Sequence, residues 1–166
     1  SLDCLVTGGA TTTVFTDTTP LTITNGSPIT ATIVVSGVGS VLTDLNMTTF
    51  ISHTWASDLD ITLVSPQGTE VTISTDNGGS NNDVFAGTFW DDDAGDTNPP
   101  GAVTDATYAN LVVETPLTPE EAFGAFIGEN PNGVWELHIT DDAGGDDGTL
   151  NSWSLEVTTE PALPAT

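Results

Sequence analysis

The sequence contains no lysine and no arginine. Against 24 aspartates and glutamates it sets only two histidines, for a formal net charge of −24 at pH 7. No salt bridge to Lys or Arg can form within it, and a compact chain of this charge repels itself. Such a surface is a poor partner for phosphate backbones and for anionic lipid, so nucleic-acid binding is not expected. Cysteine occurs once, as Cys4, so there is no internal disulfide; that thiol is either free or paired between chains. Long apolar runs are missing, so no membrane-spanning helix and no membrane insertion are expected. No charged-then-apolar leader is present, and any signal peptide is expected to have been removed or to lie outside this sequence. Good helix formers are scarce beside threonine, valine and glycine, which favours strands.

The chain has 166 residues with 37% hydrophobic content, four Trp and six Phe, enough for one domain with a real core. Trp135, Leu137 and Ile139 alternate with Glu136, His138 and Thr140, and Trp153, Leu155 and Val157 alternate with Ser154, Glu156 and Thr158. Each set predicts a strand with one apolar face. The glycine-rich, four-carboxylate segment between them, DDAGGDDG, reads as the turn of a hairpin. Upstream, LTIT (21–24) and ITATIVVS (29–36) read as strands. In VLTDLNMTTFIS (41–52), Val41, Leu45, Met47 and Ile51 share one parity and are expected to face inward. DLDITLVS (58–65) puts Leu59, Ile61 and Leu63 inward and Asp58 and Asp60 outward, and Pro66-Gln67-Gly68 turns it into TEVTIS (69–74). VFAGTFW (84–90) is a further strand, and ATYANLVV (106–113) is a strand or an ordered loop. Thr118-Pro119-Glu120-Glu121 has the form of a capping box, cut short by Gly124 to one helical turn.

Strands recur with turns between them and almost no helix, which predicts an all-β, two-sheet antiparallel sandwich with at most one short helical turn. Residues 1–19 read as an N-terminal arm pairing with its own or a neighbouring sheet, 20–159 as the sandwich, and 160–166 as a tail or linker.

Three acidic sets suggest calcium, which takes about six to eight oxygens from flexible loops. They are Asp58 and Asp60 on one strand, Asp91 and Asp92 (with Asp93 and Asp96) after Trp90, and Asp141, Asp142 and Asp146 (with Asp147) between the last two strands. The alternative reading is that Asp-Gly-rich segments are hydrated turns. Neither Asp loop has the spacing of a helix–loop–helix calcium site, because the terminal bidentate Glu is missing. No Gly-x-Ser-x-Gly elbow occurs, and two histidines without a His-x-x-x-His pair do not suggest zinc. His53 reads as a structural hydrogen-bonding residue. Trp135 and Trp153 have core parity, whereas Trp55 and Trp90 border polar loops and are either loop-edge core residues or stacking surfaces.

Four segments together resemble the P domain of secreted subtilisin-like proprotein convertases, especially its bacterial type. They are TATIVVSGVGSVLTDLN (30–46), ISHTWASDLDITLVSPQGTEVTIS (51–74), DNGGSNNDVFAGTFWDDDA (76–94) and NGVWELHITDDAGGDDGTLNSWSLEV (132–157). The resemblance implies a jelly-roll-like β-sandwich, an extracellular setting and no catalysis by the domain itself. It also implies calcium in loops of this kind. Two roles follow as expectations. One is a calcium-binding structural or adhesive module that assembles with copies of itself or another extracellular protein. The other is the C-terminal accessory domain that helps a subtilisin-like protease domain to fold or stay folded. The absence of basic residues departs from the convertase pattern.

Overall fold

The computed structural model describes residues 9–96 and 101–161, with side chains given to Ala94 before the gap. Cys4 and residues 162–166 lie outside the described residues, as does the side chain of Asp96. Nine strands form two antiparallel sheets. In chain order they are β1 (Thr11–Asp17), β2 (Leu21–Thr24), β3 (Ile29–Val35), β4 (Leu42–His53), β5 (Leu59–Val64), β6 (Glu70–Thr75), β7 (Ala86–Trp90), β8 (Gly133–Asp141) and β9 (Asp147–Thr159). One sheet has the order β1-β9-β4-β7, with β2 also pairing with β9; the other has the order β3-β8-β5-β6. The sandwich expected from the alternating sequence is therefore the architecture observed.

Its core lies where the inward parities of the two sheets meet. Trp135, Leu137 and Ile139 of β8 and Trp153, Leu155 and Val157 of β9 are buried, as are Leu59, Ile61 and Leu63 of β5. Trp90 is also fully buried, its indole N–H donating to Thr49 Oγ1 at 2.9 Å. The Trp135 indole N–H donates to the Pro131 carbonyl at 2.9 Å, and its ring meets Phe126 edge-on at 5.1 Å. Both indoles thus bury their large apolar area without stranding a donor.

Several expectations are corrected. β8 and β9 belong to different sheets, so DDAGGDDG does not turn a hairpin; it carries the chain from one sheet to the other. Both strands still alternate, because each has one face on the shared core. Val41 is exposed and Leu42 buried, the reverse of the simple parity, because the β4–β9 register shifts between Leu42 and Asp44. A bulge inserts one residue and flips the faces beyond it. Thr118 does not cap a helix: it makes an isolated bridge with Ala102, and Glu120 N–H and Glu121 N–H donate to Ile73 and Thr72 carbonyls. Sheet-edge pairing has taken the backbone groups that the capping box would have used. Short 3-10 turns lie instead at Ala56–Asp58, Asp92–Asp96 and Phe123–Phe126. Of the two alternatives for residues 106–113, the ordered loop is the one formed.

Candidate functional site at the loop end of the sandwich

The end of the sandwich that carries the β8–β9 loop gathers most of the predicted acidic residues. The alternation of β4 puts His53 on the inner face after Ile51, and that of β8 puts Asp141 inward after Ile139. Both are buried, and His53 Nε2 lies 3.2 Å from Asp141 Oδ2. The other ring nitrogen, Nδ1, lies 2.8 Å from the Trp55 carbonyl. Asp141 Oδ1 accepts from the Ala143 N–H at 3.1 Å, so this carboxylate also shapes the start of the loop. Gly148 of β9 lies against His53: a Cβ there would stand 2.6 Å from the ring Cδ2 and 2.2 Å from the Ser52 carbonyl oxygen. Only glycine leaves room for the histidine at this point.

The 3-10 turn after β4 places Asp58 beside this pair. Asp58 is not on the outer face expected for it; it is only 7% exposed. Its backbone is fixed from both sides, the N–H donating to Trp55 O at 3.1 Å and the carbonyl accepting from Asp142 N–H at 3.0 Å. Burial raises the Asp58 carboxyl above its ordinary range. The Asp141 carboxylate raises it further, Asp146 and Asp142 add smaller pushes, and His53 opposes them. Asp146 is half-buried and accepts from Thr54 Oγ1 at 2.7 Å. Trp55, Asp58, Ala143, Gly144 and Asp146 line an open pocket of about 360 Å³.

Asp60 is half-buried on β5, its carboxyl raised by burial first and then by Asp142, Asp76 and Glu120. Asp91 and Asp92 lie elsewhere, beyond β7. Asp91 Oδ1 accepts from Asp93 N–H at 2.9 Å. Asp92 accepts from Phe123 N–H at 2.7 Å and Gly124 N–H at 2.8 Å, holding the 3-10 turn there. Desolvation and then the Asp91 carboxylate raise the nearby Asp44 carboxyl. The predicted residues therefore fall into separate places: Asp58, Asp141, Asp142 and Asp146 together, Asp60 beside Asp142, and Asp91 with Asp92 apart. Among the described residues, no group of three or more His, Cys, Asp or Glu side chains is placed to hold a metal ion. As they stand, these carboxylates do not form a calcium shell, several being occupied by backbone and side-chain donors.

His53 pairing with Asp141 was not foreseen, although the signal was present in the inward parity of both residues. Glu120 was also missed. It accepts from Thr75 N–H and Asn77 Nδ2 at 2.6 Å each and ties the long 101–130 connection to β6. Its position after a Thr-Pro pair gave no such sign. Among the described residues, no helix is long and apolar enough to cross a membrane.

With this geometry established, comparisons place the chain among known proteins. The family profile described as the proprotein convertase P-domain matches residues 42–157. No curated protein matches the sequence. Among solved structures, the chain is similar to the serine protease of Aeromonas sobria, with a TM-score of 0.58 and 18% identity over 92% of this chain. It is similar also to that serine protease in its complex with a chaperone, with a TM-score of 0.56 and 19% identity over 94% of this chain. In both cases the match spans 28% of the other chain, so these likenesses concern one domain of a longer protein and its fold.

Proposed function

Since the chain belongs to the proprotein convertase P-domain family, we propose that it is a non-catalytic accessory domain of a secreted serine protease of subtilisin type. The observation that carries this reading is the family match across 42–157, which takes in both sheets and the loop end described above. Further support comes from the fold neighbours, in which a domain of this shape occupies 28% of a serine protease chain. In this role the sandwich packs against a catalytic domain and stabilises its folded state by binding it in preference to the unfolded chain. The self-assembling or adhesive module also expected from the sequence draws no support from these comparisons.

Calcium enters the proposal as a diffuse counter-ion drawn to the acidic loop end of Asp58, Asp141, Asp142 and Asp146, and not as a ligand seated in the pocket beside Trp55. A full coordination shell there requires side chains to rotate from the positions they hold.

The test is to immunoprecipitate the native protein with an antibody to this domain and label the precipitate with a fluorophosphonate, which marks the active serine of serine hydrolases. A labelled polypeptide that carries this domain or coprecipitates with it is the expected result. A precipitate without a labelled polypeptide refutes the protease role and favours a free structural module.

A further inference from the structure

The pocket lined by Trp55, Asp58, Ala143, Gly144 and Asp146 has an aromatic wall and two carboxylates. Its parts are held in place before any ligand arrives. Ala56 N–H and Ser57 N–H donate to Asn81 and Gly79 carbonyls, Asp142 N–H donates to Asp58 O, and Thr54 holds Asp146. Trp55 is 43% exposed, whereas Trp90, Trp135 and Trp153 are buried. Asp58 is more than nine-tenths buried, lines the pocket, and its carboxylate accepts no hydrogen bond among the described residues. The Asp58 carboxylate faces the open pocket, and where no protein donor pairs with it, a cation bearing N–H groups is the ligand that does. An indole face beside it suits an organic cation, which it attracts through its ring quadrupole. It does not suit calcium, since calcium takes about six to eight oxygens and the indole supplies none.

No ammonium or guanidinium side chain exists in these 166 residues, so neither this domain nor a second copy of it can offer one. We propose that the pocket formed by Trp55, Asp58 and Asp146 receives a lysine or arginine side chain of a partner protein. The charged head lies between the two carboxylates and its flat or aliphatic part lies on the Trp55 ring. The chain's net charge draws basic surfaces towards it, and the pocket selects one side chain among them. This proposal holds whatever the partner's activity, so it stands or falls apart from the protease role.

The test follows the indole N–H signals of the full chain by NMR, with that of Trp55 assigned by its loss in Trp55→Phe. The probes are acetylated, amidated Gly-Arg-Gly and Gly-Lys-Gly, with a citrulline tripeptide as the neutral isostere. A saturable shift of the Trp55 signal is expected at about millimolar peptide, with none from citrulline. Affinity is expected to fall about tenfold in Asp58→Asn and in Asp146→Asn. It is expected to stay unchanged in Asp105→Asn, which alters the net charge equally at an exposed site that does not line the pocket. If Asp58→Asn does not fold, Asp146→Asn at the half-buried side of the pocket decides. A non-saturating shift, an equal response to citrulline or an equal loss in Asp105→Asn overturns the proposal. So does putrescine binding as tightly as the peptides, which assigns the pocket to free polyamines. Calcium chloride shifting the Trp55 signal where the peptides do not assigns it to a metal and equally overturns it.

Discussion

His53 and Asp141 come from opposite sheets and meet at one end of the sandwich, Nε2 to Oδ2 at 3.2 Å, with both side chains buried. The contact ties the end of β4 to the end of β8, and through Ala143 it sets the first step of the acidic loop. Removing one partner of such a buried pair leaves the other without compensation. Asp141→Ala is expected to cost about 3 kcal/mol of unfolding free energy, and Asp141→Asn clearly less, because Asn still offers an acceptor to Ala143. Urea midpoints at unchanged m-value measure the two losses. An Asp141→Ala variant as stable as the parent would show that the sheets do not depend on this tie.

Gly148 makes a second, steric prediction about the same place. A Cβ there meets backbone and ring atoms at 2.2 and 2.6 Å, neither of them the free end of a flexible side chain. Gly148→Ala is expected to cost about 3 kcal/mol or more, or to prevent accumulation of folded protein. Gly68 is the control, because it has φ +85 but a Cβ there would meet nothing within 4 Å. Its replacement by Ala is expected to cost only about 1 kcal/mol, from backbone conformation alone. Thermal melts of the two variants side by side separate crowding from conformational strain.

Acid is expected to stabilise this protein over part of its range. Burial raises the carboxyls of Asp58, Asp60 and Asp44 above the ordinary value of 3.8 in the folded state. The folded state therefore binds protons more readily than the unfolded one, and stability declines as pH rises through the folded-state values. Lowering the pH from 7 towards the ordinary carboxylate value is expected to raise Tm, with the gain complete at about pH 4, once the unfolded chain also takes up protons. Asp58→Asn is expected to flatten that part of the profile. A Tm that falls steadily from pH 7 downwards contradicts the prediction.

Salt gives a fourth prediction. A chain of net charge −24 without Lys or Arg is stabilised by screening, so sodium chloride is expected to raise Tm steadily up to about 1 M. Calcium chloride at matched ionic strength is expected to raise it further, and EDTA to remove only that extra increment. Equal gains from the two salts would assign the whole effect to screening and remove calcium from the proposed function.

The sequence made most strands legible because alternation reports directly on a sheet with one wet face. Leu21–Thr24 and the inward set Leu59, Ile61 and Leu63 stand where the pattern put them. Pattern alone could not tell which strands are neighbours: β8 and β9 read as a hairpin because nothing local distinguishes a turn within a sheet from a crossing between sheets. Nor could it show the bulge near Leu42, where one inserted residue reverses Val41 and Leu42. The acidic residues were legible as a class but not by role. Asp92 spends its oxygens on two backbone N–H groups, Asp141 on a histidine and a loop, and Asp58 turns inward because a 3-10 turn precedes β5. Those roles depend on partners remote in sequence.

The position of β9 bears on how the molecule is made. This strand lies inside its sheet, hydrogen-bonded to β1, β2 and β4, yet it is synthesised after all of them. As the chain leaves the ribosome, β4 can pair with β7, but β1 and β2 have no partner in that sheet until β9 follows. Almost every pairing of that sheet then closes a long loop at once, the kind of topology that folds slowly. β1, β2 and one edge of β4 thus wait for the last strand, and during that interval they are open to any chaperone or neighbouring strand that reaches them first.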